Sequence, residues 1–304
     1  MRAHAASAYS VAQALTDASL RLRCHDTAAL DAELLLCHVL DQPRSFLHAH
    51  AGQALTAAQC VQFENLVERR ARGEPVAYLT GSRGFWSLEL RVTQDTLIPR
   101  PETELLVEQA LEHIAPDAEW RIADLGTGSG AIALSIAHER PRCHVIATDI
   151  SAAALEIARA NTERLNIRNI EFRLGSADWF GAVQSERFDM IVSNPPYVRS
   201  DDPHLNDLRF EPEIALVAGA DGLQHLRTIA EQAREHFTPT PAASPPSLRS
   251  PRQGGGWLLL EHGYDQGREM MQMLSDLGYA CVQDYTDLAG IPRMTVAQWV
   301  TPHE

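Results

Sequence analysis

No apolar stretch in this sequence approaches the roughly 18 to 20 residues that a membrane-spanning helix requires. The first twenty residues, MRAHAASAYSVAQALTDASL, carry one early Arg but no unbroken apolar segment of the kind a secretory leader needs. A soluble, cytoplasmic protein without membrane contact is therefore expected. Cysteine is sparse and scattered: Cys24, Cys37, Cys60, Cys143 and Cys281 form no C-x-x-C pair and have no His at ligand spacing, so reduced structural thiols and no metal site are predicted. Basic residues are outnumbered, 26 Lys and Arg against 40 Asp and Glu, for a net charge of -14. Proteins that grip phosphate backbones gain affinity from cationic side chains through counterion release, so this balance argues against nucleic acid as the direct partner, although a local basic patch stays open. No internal repeat is present. What the chain does have is length and apolar content: 304 residues, 45% hydrophobic, enough for one large core and a smaller one.

The first 80 or so residues show helical spacing and no convincing strand. In DTAALDAELLLCHVL, residues 26–40, apolar positions recur at helical intervals behind Asp26, a possible cap. TAAQCVQFENLVERRARG, residues 56–73, ends in Arg residues and then Gly73, a common helix stop. Residues 1–82 are thus read as a small helical domain. From Phe85 to Ile98 the pattern changes to alternation, which predicts a short β-hairpin linking the domains, residues 83–99. Beyond it, WRIADLG, HVIATDI, IEFRLG, FDMIVSN and GWLLLEHG are strand-like, with helical stretches such as SAAALEIARANTERL between the earlier ones. This alternation predicts an α/β domain over 100–304 with a parallel sheet and helices on both faces. CVQDYTD and MTVAQWV are joined too closely for a crossover helix and should pair antiparallel at one edge. The Pro/Ser/Gly-rich residues at about 238–254 carry little that could be buried and read as a flexible surface insertion.

Two motifs carry chemistry. After the strand WRIADL comes Gly126-Thr127-Gly128-Ser129-Gly130-Ala131, then the start of a helix. Glycines let a ligand approach the backbone, and the helix N-terminus offers N–H groups. The next strand ends at Asp149, placed to accept from both hydroxyls of a ribose, which together describes a nucleoside-type cofactor site. A tight strand-to-helix turn is the bland alternative, as is a simple helix cap for Asp149. The loop also fits the dinucleotide fingerprint G-x-G-x-x-A, which keeps an NAD enzyme in view. Asp124, just before the first glycine, suits a cationic cofactor better than a pyrophosphate, and S-adenosylmethionine carries an ammonium and a sulfonium.

The second motif, Asn194-Pro195-Pro196-Tyr197, closes the run FDMIVS. Proline removes a ladder hydrogen bond, so the motif must lie just past the strand end, at the ligand edge of such a sheet. Rigid acceptors there suit a planar NH2 group, whose lone pair is delocalised. If the Asn194 side-chain oxygen and the Pro195 carbonyl hold its two N–H groups, the nitrogen is aimed at an electrophilic methyl, with Tyr197 covering the flat group. Alignment of this kind lowers a barrier by roughly 7 to 11 kcal/mol at its upper limit. No side-chain base is required, since the nitrogen becomes acidic as the methyl transfers.

The tetrapeptide resembles the signature of S-adenosylmethionine-dependent methyltransferases of planar amino groups, which include adenine N6, guanine N2 and glutamine N5 enzymes. The residues GEPVAYLTGSRGFWSLELRVTQDTLIPRPETELLV (73–107), FEPEIALVAGADGL (210–223), GGWLLLEHG (255–263) and DLAGIPR (287–293) are similar to the bacterial peptide chain release factor N5-glutamine methyltransferase family (PrmC, also called HemK). The resemblance runs from about residue 25 to the end. It implies a seven-stranded Rossmann-like class I methyltransferase sheet with an antiparallel last strand, and a small N-terminal helical domain that helps hold the protein substrate. It implies S-adenosyl-L-methionine as cofactor, with Gly126, Thr127, Gly128, Ser129 and Gly130 along its methionine part, Asp149 on its ribose, Trp179 beside its adenine and Asn194 also in contact. Asn194, Pro195, Pro196 and Tyr197 would take the glutamine amide of the Gly-Gly-Gln motif in class I release factors. An ordinary core role for Trp179 is the alternative. The turn at Pro101, Glu102 and Glu104 would suit any helix start, while Arg100 beside it could reach the site. The 238–254 insertion departs from the family pattern, between strands that do not build the catalytic loops. Three rivals remain: an amino methyltransferase for a nucleic acid base, an NAD dehydrogenase that leaves NPPY unexplained, and a non-catalytic module that kept the cofactor fold. Nothing points to an oligomer, so a monomer is the default.

Overall fold

The computed structural model describes residues 9–239 and 255–300, so most of the insertion expected at 238–254 lies outside the described residues. The chain divides into two compact units, Met1–Ser82 and Arg83–Glu304. The first is helical. α1 (Val11–Arg21) opens with a reciprocal cap: the Ser10 hydroxyl accepts from Gln13 N–H, and the Gln13 side chain accepts from Ser10 N–H. α2 (Ala28–Leu40) starts one residue later than Asp26 could cap, because residues 22–28 form turns; its N-cap is Thr27, whose hydroxyl donates to Asp31. α3 (Arg44–Ala49) is short. α4 (Ala57–Ala71) is capped by Thr56 and Gln59 as α1 is by Ser10 and Gln13, and it stops before Gly73, whose φ is 99°. α5 (Val76–Thr80) completes a core around Leu35, Leu36, Phe63 and Val67.

A two-stranded hairpin, β1 (Ser82–Phe85) and β2 (Leu88–Arg91), turns at Trp86 and Ser87. It lies earlier than the alternation suggested. Thr93 and Asp95 hydrogen-bond to each other and close a local turn, which takes residues 93–98 out of the ladder where the alternation of Leu88, Leu90 and Val92 ends. A 3-10 turn, Pro101–Thr103, leads into α6 (Glu104–His113). There follow β3 (Arg121–Leu125), α7 (Ala131–Glu139), β4 (His144–Asp149), α8 (Ala152–Leu165), β5 (Ile170–Leu174), β6 (Met190–Ser193), α9 (Gln224–Ala233), β7 (Gly256–Glu261), α10 (Gly267–Asp276), β8 (Ala280–Thr286) and β9 (Pro292–Trp299).

The seven strands of the large sheet lie in the order β5-β4-β3-β6-β7-β9-β8. The last strand, β9, is the antiparallel one and sits between β7 and β8, which leaves β8 at the edge. Successive strand side chains alternate between faces. Ile122, Val145, Val192, Leu259 and Val296 pack under the hairpin, α6 and α7, while Ala123, Ile146, Ile191, Leu258 and Ala297 pack against α9 and α10. The order reverses at β3, with β4 on one side and β6 on the other, so the loops after β3 and β6 diverge at the C-terminal edge and leave a crevice between them. Among the described residues no helix is long and apolar enough to cross a membrane.

Candidate active site

The glycine loop leaves β3 at this reversal. Gly126, Gly128 and Gly130 all have positive φ, between 57° and 87°. At Gly128, a cleft residue, no atom lies within 4 Å of the place a Cβ would take, so the missing side chain leaves open space for a ligand. The loop is braced from beneath. Gly126 and Thr127 N–H both donate to Thr148 O at 2.9 Å, and the Thr127 hydroxyl donates to buried Asp124 at 2.6 Å. Asn161 on α8 gives Nδ2 to Ser129 O and to Arg91 O and accepts from Arg91 N–H, so one buried amide ties loop to hairpin. Asp149 accepts from Gly128 N–H and from Ser151 N–H, each at 2.8 Å, while Ser151 itself caps α8. Asp149 is thus not the helix cap but a half-buried carboxylate on the cleft wall.

The loop after β6 is rigid for reasons beyond its prolines. Pro195 and Pro196 are buried, and the Tyr197 carbonyl accepts from Gln266 Nε2 at 3.2 Å. Gly222 passes so close that a Cβ would lie 2.5 Å from Tyr197 O and 2.6 Å from Gln266 Nε2, at a φ of 73° that other residues rarely adopt. Gly222→Ala is therefore expected to lower turnover roughly tenfold by shifting Tyr197 and its neighbours. Steady-state rates beside a thermal melt check this; an unchanged rate would mean that the close approach does not position the loop. Asn194 Nδ2 donates to Thr103 Oγ1 at 3.2 Å, and the Tyr197 phenol donates to Glu261 Oε1 at 3.2 Å.

A cleft of about 340 Å³ lies over this edge, lined by Gly126, Gly128, Asp149, Ile150, Trp179, Asn194 and Pro196 among others. Its charged lining is Asp95 and Asp149, with no Lys or Arg among the described lining residues. Burial keeps three carboxyls near this edge above their ordinary range: Asp124 and Glu261 are each pushed up to about 7, and Asp149 is raised as well. A raised carboxylate is protonated in the fold while still ionised in the unfolded chain, so the fold binds more protons across this window and loses stability as pH rises from about 4 to about 7. The ligand-free protein is expected to melt at lower temperature at pH 8 than at pH 5, with Asp124→Asn flattening the profile. A melting temperature that rises across that range contradicts this.

The crevice brings together most of the residues the motifs singled out. Trp179 lines the cleft, edge-on to His225 on α9 with centroids 5.5 Å apart, and its ring would lie 3.2 Å from a Cβ at Gly126. Thr127, Ser129, Gly130 and Pro195 are not cleft-lining residues, and neither is Tyr197, whose phenol turns to Glu261. Arg100 is engaged by Glu211, whose other carboxylate oxygen accepts from Ile98 N–H. Asp124 is fully buried below the loop. Sequence reasoning missed Asp95, Thr96 and Leu97 in the cleft, as well as Asn161, Gly222, Glu261 and Gln266. Asp95 to Leu97, Gly222 and Glu261 lie in segments that carry the family resemblance, which gave none of them a role.

A seven-stranded sheet with an antiparallel last strand, a glycine loop after its first strand and an acidic residue ending the second defines a class I methyltransferase. A solved methyltransferase from Pyrococcus furiosus shares this fold, with a TM-score of 0.52 and 19% identity over 78% of this chain and 99% of its own. Models of the PrmC N-terminal domain and the methyltransferase small domain match residues 13–81 and 101–208. The release factor glutamine methyltransferase of Xylella fastidiosa is 50% identical over 271 residues, 88% of this chain and 92% of that protein. The protein of the same name from Aliivibrio fischeri is 46% identical over 285 residues, 93% and 94% of the two chains. The chain belongs to the release factor glutamine methyltransferase family.

Proposed function

We propose that this protein transfers the methyl group of S-adenosyl-L-methionine to the side-chain amide nitrogen, N5, of the glutamine in the Gly-Gly-Gln motif of class I peptide chain release factors. It acts in the cytoplasm, as a monomer, without direct contact to nucleic acid or membrane. Residues 1–82 serve as the substrate-recognition domain, 83–99 as linker and 100–304 as the methyltransferase domain.

The cleft suits the cofactor. An acidic lining without Lys or Arg favours a ligand carrying ammonium and sulfonium charges over one carrying a pyrophosphate, which tells against the dinucleotide reading of the loop. Gly126 and Gly128 hold its methionine part, with the rest of the loop bracing them from beneath, Asp149 accepts from its ribose, and Trp179 with Ile150 flanks its adenine. When bound there, it supplies an electrophilic methyl group.

The observation that carries the proposal is the Asn194 amide. Its Nδ2 end is held by Thr103, and among the described residues nothing donates to Oδ1, so an acceptor stands free beside the cofactor cleft. Asn194 Oδ1 and the Pro195 carbonyl take the two N–H groups of the substrate amide, fixing its plane and its nitrogen. Tyr197 holds this loop through Glu261. The test is mass spectrometry of a purified class I release factor after incubation with enzyme and S-adenosylmethionine. One methyl group gained on the Gly-Gly-Gln glutamine is expected; an unmodified glutamine would overturn the assignment.

A further inference from the structure

An asparagine can serve as a substrate acceptor only if its amide points the right way, and its two ends are nearly equal in size. The contact with Thr103 does not by itself choose between them. A hydroxyl can accept from Nδ2 or donate to Oδ1 at the same distance. The choice depends on where the hydroxyl hydrogen of Thr103 goes.

Thr103 is 3% exposed and Glu261 is 2% exposed, so water does not settle the matter. The Glu261 carboxylate faces both the Thr103 hydroxyl and the Tyr197 phenol, and both favour its ionised form. Its Oε1 accepts from Tyr197, while its buried Oε2 accepts from no group at hydrogen-bond distance and is the open acceptor toward which the Thr103 hydroxyl can turn. An ionised carboxylate only accepts, so it draws the Thr103 hydrogen toward itself and leaves the hydroxyl lone pairs to Asn194. Only Nδ2 can then face Thr103, because Oδ1 there would set two lone-pair oxygens against each other in a buried place.

We propose that Glu261 and Thr103 are positioning residues that fix the polarity of the Asn194 amide, holding its oxygen toward the substrate nitrogen. This rests on the role proposed above for Asn194. It joins three segments far apart in the chain: Thr103 from the turn before α6, Asn194 and Tyr197 from the loop after β6, and Glu261 at the end of β7. The charged and titratable groups facing Glu261 are Tyr197, Glu102 and Arg293, of which Glu102 favours its protonated form and Arg293 its ionised form. When Glu261 is protonated it can donate to Thr103, which frees the Thr103 hydrogen for Asn194 Oδ1 and reverses the relay.

The test uses the full-length protein with Thr103→Val, Thr103→Ser and Glu261→Leu. Thr103→Val and Glu261→Leu are expected to lower kcat on the release factor roughly 10- to 100-fold, with the Kd for S-adenosylmethionine changed less than about threefold, and Thr103→Ser should recover most of the rate lost in the valine variant. The kcat of wild type should fall on the acid side of neutrality, and this limb should vanish in Glu261→Leu. A catalysis-free readout accompanies these: the Asn194 NH2 hydrogens, held by Thr103, should exchange with solvent more slowly in wild type than in Glu261→Leu. Unchanged kcat in the valine and leucine variants would overturn the proposal, as would a serine variant as slow as valine, or a loss of cofactor affinity equal to the loss of rate. A wild-type enzyme that modifies no release factor would instead overturn the function on which the relay rests, and equal exchange rates would then sink the relay separately.

Discussion

Asn194→Ala is expected to lower kcat on a release factor roughly 10³-fold, about 4 kcal/mol of transition-state stabilisation, while the Kd for S-adenosylmethionine stays within about threefold. The substrate nitrogen is a poor nucleophile because its lone pair is delocalised into the amide, and a fixed orientation is what this site can offer it. The tetrapeptide Asn194 to Tyr197 carries no carboxylate, imidazole or amine, and what it offers is acceptors held still, the Asn194 amide by Thr103 among them. Alanine removes the side-chain acceptor but leaves Pro195, Pro196 and the bracing of the Tyr197 carbonyl by Gln266 and Gly222 in place. The cofactor contacts assigned to the glycine loop and Asp149 are untouched. Single-turnover rates paired with calorimetric cofactor binding separate the two effects. A rate within threefold of wild type would remove Asn194 from the chemistry.

Asp149→Ala should do the reverse, weakening S-adenosylmethionine roughly 100-fold, about 3 kcal/mol, with most of kcat recovered at saturating cofactor. Two losses combine. The carboxylate that would accept from the ribose is gone, and so is the acceptor that holds Gly128 N–H and Ser151 N–H at 2.8 Å, so the glycine loop loosens as well. Asp149→Asn keeps one acceptor oxygen and should fall between alanine and wild type in calorimetry. If both Asn194→Ala and Asp149→Ala lost rate and cofactor affinity in equal measure, the division of roles between the two loops would fail.

The glycine loop, Asp149 and NPPY were legible because each is a local signal placed by the strand before it. Strand positions followed from apolar runs, and even the antiparallel final strand could be anticipated from the short connection between β8 and β9. What was not legible depends on contacts between distant segments. Asn194 and Thr103 are 91 residues apart, and Tyr197 and Glu261 are 64 apart, so no spacing rule could show that these four form one polar cluster. Tyr197 illustrates the cost: it was expected to cover the substrate amide, whereas its phenol is turned toward Glu261. The hairpin is shorter than the 83–99 expected because the alternation of Leu88, Leu90 and Val92 stops at the Thr93–Asp95 turn, and Leu97 and Ile98 beyond it belong to no strand. That same turn brings Asp95, Thr96 and Leu97 into the cleft wall, a placement visible only once the linker is folded.

The central claim is that NPPY presents a protein glutamine amide and not a nucleic acid base. It is tested most directly by transfer from methyl-labelled S-adenosylmethionine to parallel acceptors: a purified class I release factor, its Gln→Ala variant in the Gly-Gly-Gln motif, ribosomal RNA and DNA. Label in the unaltered release factor alone is the predicted result. Label in nucleic acid, with none in the factor, would contradict it.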